Sequence, residues 1–142
     1  MNHTIEDQGT AHGLHYVVVA APMGHRCGYV GIPKEHPLYR VDYHQTDPSP
    51  EDIFSVHGGI TYSGGGNFPI ESDLWWFGFD CAHYDDAKDP SIMSEEYVLY
   101  TKHYMGDFAM DGSIKDTEYV KEECIQLAKQ LAEYTGRISN EQ

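Results

Sequence analysis

Leu14-His15-Tyr16-Val17-Val18-Val19-Ala20-Ala21 is a run of β-branched and apolar residues that Pro22 and Gly24 bring to a stop, and it reads as a strand inside a sheet. Working outward, Arg26 to Ile32 predicts a second strand ended by Pro33, while residues 1–13 are polar and read as a flexible N-terminal tail. Lys34 to Asp52 holds Pro37, Pro48 and Pro50 among polar residues and predicts a long loop with room for one short helical turn. Ile53 to Ser63 alternates as a third strand, Gly64-Gly65-Gly66-Asn67 follows as a loop, and Leu74 to Cys81 predicts a fourth strand. Residues 85–112 settle into no single period. Val120, Cys124, Leu127, Leu131 and Tyr134 then recur at spacings of four and three, the apolar stripe of an amphipathic helix, with Asp116 or Thr117 to cap it and Gly136 to end it. The expected class is α+β: a mostly antiparallel β-sheet with one long C-terminal amphipathic helix packed on one face, residues 14–142 forming a single domain.

Composition narrows the function. The 142 residues carry 23 acidic against 9 basic side chains, a formal charge of −14 that would repel a phosphate backbone, so direct nucleic-acid binding is not expected. The first residues lack the charged-then-apolar pattern of a signal peptide, and no apolar run approaches the roughly 20 residues of a membrane helix, so a cytoplasmic protein is expected. Three cysteines, Cys27, Cys81 and Cys124, form no Cys-x-x-Cys pair and are expected as free thiols.

Strand parity sorts the remaining residues. Gly28, Val30 and Ile32, with Trp75, Phe77 and Phe79, belong under the helix; Cys81 and His83 share that side, with a bend at the strand end able to re-aim His83. His25, Cys27, Tyr29, His57, Thr61, Trp76 and Asp80 gather on the opposite face. Glycines beside aromatics there suggest an open, concave surface. Tyr29, Tyr62 and Trp76 are candidates to stack on a planar ligand, His25, His57, Thr61 and Asp80 to meet its polar edges, and Arg26 to meet an anionic group. The same face offers N, S and O donors in His25, Cys27, His57 and Asp80, so zinc is a possible cofactor, although no cofactor is favoured. It also offers a general-base pair, His57 with Asp80, beside Cys27 or Thr61 as nucleophile.

Gly28-Tyr29-Val30-Gly31-Ile32-Pro33 with His36-Pro37-Leu38-Tyr39, Val56-His57-Gly58-Gly59-Ile60-Thr61-Tyr62, Trp75-Trp76-Phe77-Gly78-Phe79-Asp80-Cys81-Ala82-His83, and Tyr119-Val120 with Glu122-Glu123-Cys124 together resemble a family of small uncharacterised proteins from tailed phages, prophages and some actinobacteria. About a third of the chain carries the likeness. Where relatives place Gly-Asp after the Cys-Ala-His-x stretch, this chain has Asp85-Asp86. The resemblance implies provenance, in a bacterial host cell if phage-encoded, and no particular chemistry.

Three functions are therefore in play. The first is a phage-type accessory protein that captures a small, nucleotide-like molecule on the sheet face, as in sequestration of a host immune signal, which would serve evasion of host defence. The second is a metal-dependent or Cys/His hydrolase on that face, and the third an acidic protein-interaction inhibitor. A homo-oligomer is compatible with each.

Overall fold

A computed structural model describes residues 3–83, 86–104 and 112–134. The expected class is observed: a five-stranded antiparallel sheet with a C-terminal helix packed on one face. The strands are β1 (Thr4–Ala11), β2 (Leu14–Ala20), β3 (Arg26–Ile32), β4 (Tyr62–Gly66) and β5 (Ser72–Asp80), in spatial order β1-β2-β3-β5-β4. Helix α1 (Pro50–Ile53) supplies the short turn expected in the long loop. The stretch without a clear period contains β6 (Asp86–Ala87), a 3-10 turn at Pro90–Ile92 and α2 (Glu95–Tyr104); β7 (Ser113–Ile114) follows it and pairs with β6 in parallel. Helix α3 (Thr117–Glu133) closes the described chain; Asp116 caps it by accepting the Tyr119 N–H at 2.9 Å. Gly136 and Asp85 lie outside the described residues. Among the described residues, no helix is long and apolar enough to cross a membrane.

Two expectations about the chain path need correction. Residues 4–11 are a strand rather than a tail, joined to β2 through His12 and Gly13, both in the left-handed region (φ 52° and 81°), as a tight hairpin turn requires. Its polar side chains hid it, because an edge strand is held by backbone hydrogen bonds and needs little apolar alternation. The third strand is likewise only Tyr62–Gly66, so the glycine triplet is part of the sheet edge and not a loop. Residues 54–61 instead run along α3, whose side chains take over the role of a neighbouring strand. Gln130 accepts the Ser55 N–H at 2.8 Å and donates to the Ser55 carbonyl at 2.7 Å, and Glu123 accepts the His57 N–H at 2.7 Å.

The parity assignment for β3 and β5 holds. Val18, Val30, Ile32, Phe77 and Phe79 form one core with Val120, Cys124, Leu127, Ala128 and Leu131 of α3. Phe54 and Ile60 reach this core from the irregular segment. The opposite face carries a second cluster, Val17, Val19, Cys27, Tyr29 and Trp76, roofed by Tyr62, Phe68, Ile70 and Leu74.

Close helix-to-sheet contact depends on Gly28: a Cβ there would lie 2.5 Å from Phe79 Cζ and 2.6 Å from Cys124 Sγ. Gly28→Ala should therefore destabilise the fold by about 1–3 kcal/mol through overpacking, read as a lower urea midpoint with an unchanged denaturant slope.

Candidate functional site

The face expected to be open is filled. Trp76 is fully buried, and Cys27 and Tyr29 are only 6% exposed. Tyr29 packs edge-on against both Tyr62 and Phe68, at 5.4 and 5.2 Å between ring centroids, so the protein's own rings fill the space beside it. Burial also pushes the Cys27 thiol up to about 11, against a hydrogen bond to Tyr29, which removes it as a thiolate nucleophile. Arg26 is equally committed. Its guanidinium pairs with Glu6 at 2.5 Å and Asp89 at 2.9 Å and donates to the Lys115 carbonyl at 3.2 Å, pinning β1 and the 3-10 turn to the start of β3. It is a buried tie between segments rather than an anion contact.

His57 is the predicted site residue around which other chemistry gathers, but it lies against α3 and not on the opposite face, because residues 54–61 are not a strand and strand alternation does not apply to them. The expected partners His25, Cys27 and Asp80 do not join it as metal ligands. Among the described residues, the side chains whose donor atoms lie within 4.8 Å of one another are His57, His83 and Asp86, and this group can hold a metal ion. His57 Nε2 stands 2.9 and 3.0 Å from the two oxygens of Asp86, while His83 Nδ1 lies 3.4 Å from Asp86 Oδ2. Asp80 sits at the margin. Its carboxylate accepts from the Thr61 hydroxyl and the Ala82 N–H, each at 3.1 Å, and lies 3.7 Å from His83 Nδ1. The carboxylate that orients His57 is therefore Asp86, and the hydroxyl on the ring's other nitrogen is Tyr119, at 2.8 Å, in place of Cys27 or Thr61. His25 stays half-buried, and its Nδ1 is the one buried side-chain polar atom without a partner among the described residues. Burial lowers its pKa.

Local sequence explains the convergence. Gly58 and Gly59 take φ values of 68° and 84°, turning the chain sharply after His57. A Cβ on Gly58 would overlap the His83 ring, so the glycine is what lets the two imidazoles meet, 5.7 Å apart between centroids. After β5 the chain returns so that the His83 N–H donates to the Asp86 carboxylate at 3.0 Å and the Asp86 N–H to the His83 carbonyl at 2.9 Å. Pairing of β6 with β7 then brings Lys115 to Asp86, 3.0 Å from Oδ1.

Asp86 is the electrostatic centre, its side chain 1% exposed. Burial alone would raise its pKa, but hydrogen bonds from His57, the His83 backbone and Lys115 outweigh it and hold the carboxyl down to about 2. Asp86, Lys115, Tyr119 and Glu123 were not picked out from sequence as site residues. Tyr119 and Glu123 stand four apart on α3, a spacing that aligns them along one side of the helix.

Two surface depressions lie elsewhere, one of about 380 Å³ near Tyr39, Arg40, Gly66 and Trp75, the other of about 330 Å³ near Glu6, Pro22 and Met93. Neither includes a residue of the cluster. Comparison with protein-family models, with curated proteins and with solved structures finds no match to this chain.

Gly58→Ala should displace the His83 ring, because the new methyl group occupies its position and the backbone there is left-handed. NMR chemical shifts of His83 should change while those of the Val18 and Leu127 methyl groups do not. Asp86 also predicts an acid limb. With a folded pKa of about 2 against 3.8 in the unfolded chain, its contribution is full above 3.8 and lost as pH falls through about 2. Over that window Asp86→Asn should unfold with a shallower pH dependence than the wild type, measured by circular dichroism.

Proposed function

We propose that the protein is a metal-dependent hydrolase that holds one divalent ion, zinc by the chemistry of its donors, on His57, His83 and Asp86. The observation that carries this reading is the convergence of three ligand side chains, one of them an imidazole 39% exposed. Structural zinc sites close all four positions with protein, whereas three protein ligands with a solvent-facing side leave a position for water or substrate. Two imidazoles and a carboxylate match the N and O donors that zinc accepts. An ion there polarises a carbonyl and makes water more acidic.

The remaining groups have assignable roles. Asp80, held in place by Thr61 and Ala82 beside His83, takes the proton of the attacking water as its oxygen bonds to the acyl carbon. It returns that proton to the leaving group as the old acyl bond breaks. The line from Asp86 through His57 to Tyr119 also resembles a nucleophile relay, but burial and the charge of Glu123 raise the Tyr119 pKa, which disfavours a phenolate. Three carboxylates, on Asp80, Asp86 and Glu123, surround the two imidazoles with one ammonium, on Lys115. A divalent ion brings that surrounding only to neutrality, which suits an uncharged ester or amide better than a polyphosphate.

Protein stripped of metal should bind one zinc ion per chain in competition with a chromophoric chelator. His57→Ala and Asp86→Ala should each weaken binding by more than about 100-fold, beyond what loss of an outer partner costs. Lys115→Gln should tighten it, because an ammonium on the ligand carboxylate repels the ion. Zinc bound no tighter by the wild type than by His57→Ala overturns the reading. So does a preference for iron(II), which the same donor set serves.

A further inference from the structure

Helix α3 contributes no ligand to the cluster, yet it grips His57 at two points. Tyr119 Oη lies 2.8 Å from Nδ1, and Glu123 Oε1 accepts the backbone N–H at 2.7 Å. The Tyr119 ring meets the imidazole edge-on at 5.4 Å, with Lys115 Nζ 5.8 Å from its centroid. The backbone of Tyr119 is itself fixed, because its N–H is the one that Asp116 caps.

We propose that Tyr119 is the positioning residue of the metal site, holding the His57 ring through its hydroxyl and reversing the sense of that hydrogen bond when Nε2 takes a metal ion. This inference rests on the metal-binding reading above. An ionised carboxylate only accepts hydrogen bonds, so with Asp86 as partner the hydrogen of a neutral His57 ring sits on Nε2, and Nδ1 accepts from the Tyr119 hydroxyl. An ion on Nε2 needs that nitrogen's lone pair, so the ring must carry its hydrogen on Nδ1 instead. A backbone N–H or an ammonium at the Tyr119 position would then confront a second donor. A phenol hydroxyl donates in one state and accepts in the other, so the ring changes tautomer without moving and without losing its partner. Glu123 holds the backbone in both states, since its hydrogen bond does not involve the ring.

Tyr119→Phe in the full chain tests this, because it removes only the hydroxyl. Zinc affinity should fall by about 10–100-fold with one site per chain retained, the range for loss of an outer hydrogen-bond partner. Glu123→Gln keeps a carbonyl acceptor for the His57 N–H but removes one negative charge near the ion, so zinc affinity should fall by less than about tenfold while the His57 tautomers stay those of the wild type. Nitrogen-15 NMR of the imidazoles gives the readout that a purely structural role would not move. Wild-type His57 should carry hydrogen on Nε2 in the metal-free protein and on Nδ1 after zinc is added; in metal-free Tyr119→Phe the hydrogen should stay on Nε2, held there by Asp86, while the Nδ1 resonance moves downfield as that nitrogen loses its hydrogen bond. A Tyr119→Phe protein with wild-type zinc affinity, or a metal-free wild type already protonated on Nδ1 alone, overturns the proposal. Failure of the wild type to bind zinc overturns the metal reading instead, and the metal-free spectra still decide whether the Tyr119 hydroxyl donates to His57 Nδ1.

Discussion

Val120, Cys124, Leu127, Ala128 and Leu131 are fully buried against the sheet, and their burial sets how α3 is rotated about its axis. A large aliphatic side chain removed from water contributes about 1.5–3 kcal/mol, so several on one stripe far outweigh any single polar contact at the helix edge. Rotation by one residue would expose part of that stripe. With the rotation set, Tyr119 and Glu123 stand at the edge of the core, facing the segment that carries His57. The residues that position the imidazole are thus placed by apolar packing several residues away from it.

Charge organises the other half of the site. Asp86 is almost fully buried, and a buried carboxylate is tolerated only where donors surround it. Its donors come from His57, the His83 backbone and Lys115, three segments with no common secondary structure. The acid therefore ties together the turn after α1, the end of β5 and the segment after β7. A similar tie on the other side of β3 joins Arg26 to Glu6 and Asp89.

The filled sheet face shows how one composition supports two readings. Glycine beside aromatics describes the floor of a pocket, and equally a backbone that leaves room for the protein's own rings. Here a Cβ on Gly78 would overlap the Tyr29 ring, one on Gly64 would come within 2.7 Å of Tyr62 Oη, and one on Gly31 within 3.1 Å of the Trp76 ring. The side of the sheet for Tyr29 and Trp76 follows from alternation, but whether that side faces solvent depends on Phe68 and Ile70 folding back over it.

Strand alternation and helical periodicity are local properties of the chain, so β2, β3, β5, the α3 stripe and the parity of β3 and β5 are legible from residue order alone. The edge strand β1 escapes such reading because backbone pairing leaves little trace in side-chain pattern. The segment from Phe54 to Thr61 misleads it because side chains of α3, far along the sequence, substitute for a neighbouring strand. His57 and His83 were both visible as residues capable of chemistry, but their meeting with Asp86, and the choice of Asp86 over Asp80, depended on a glycine turn, a chain reversal after β5 and the β6–β7 pairing. Ligand geometry is a relation between segments distant in sequence, and only packing of the whole chain brings those segments within a few ångströms.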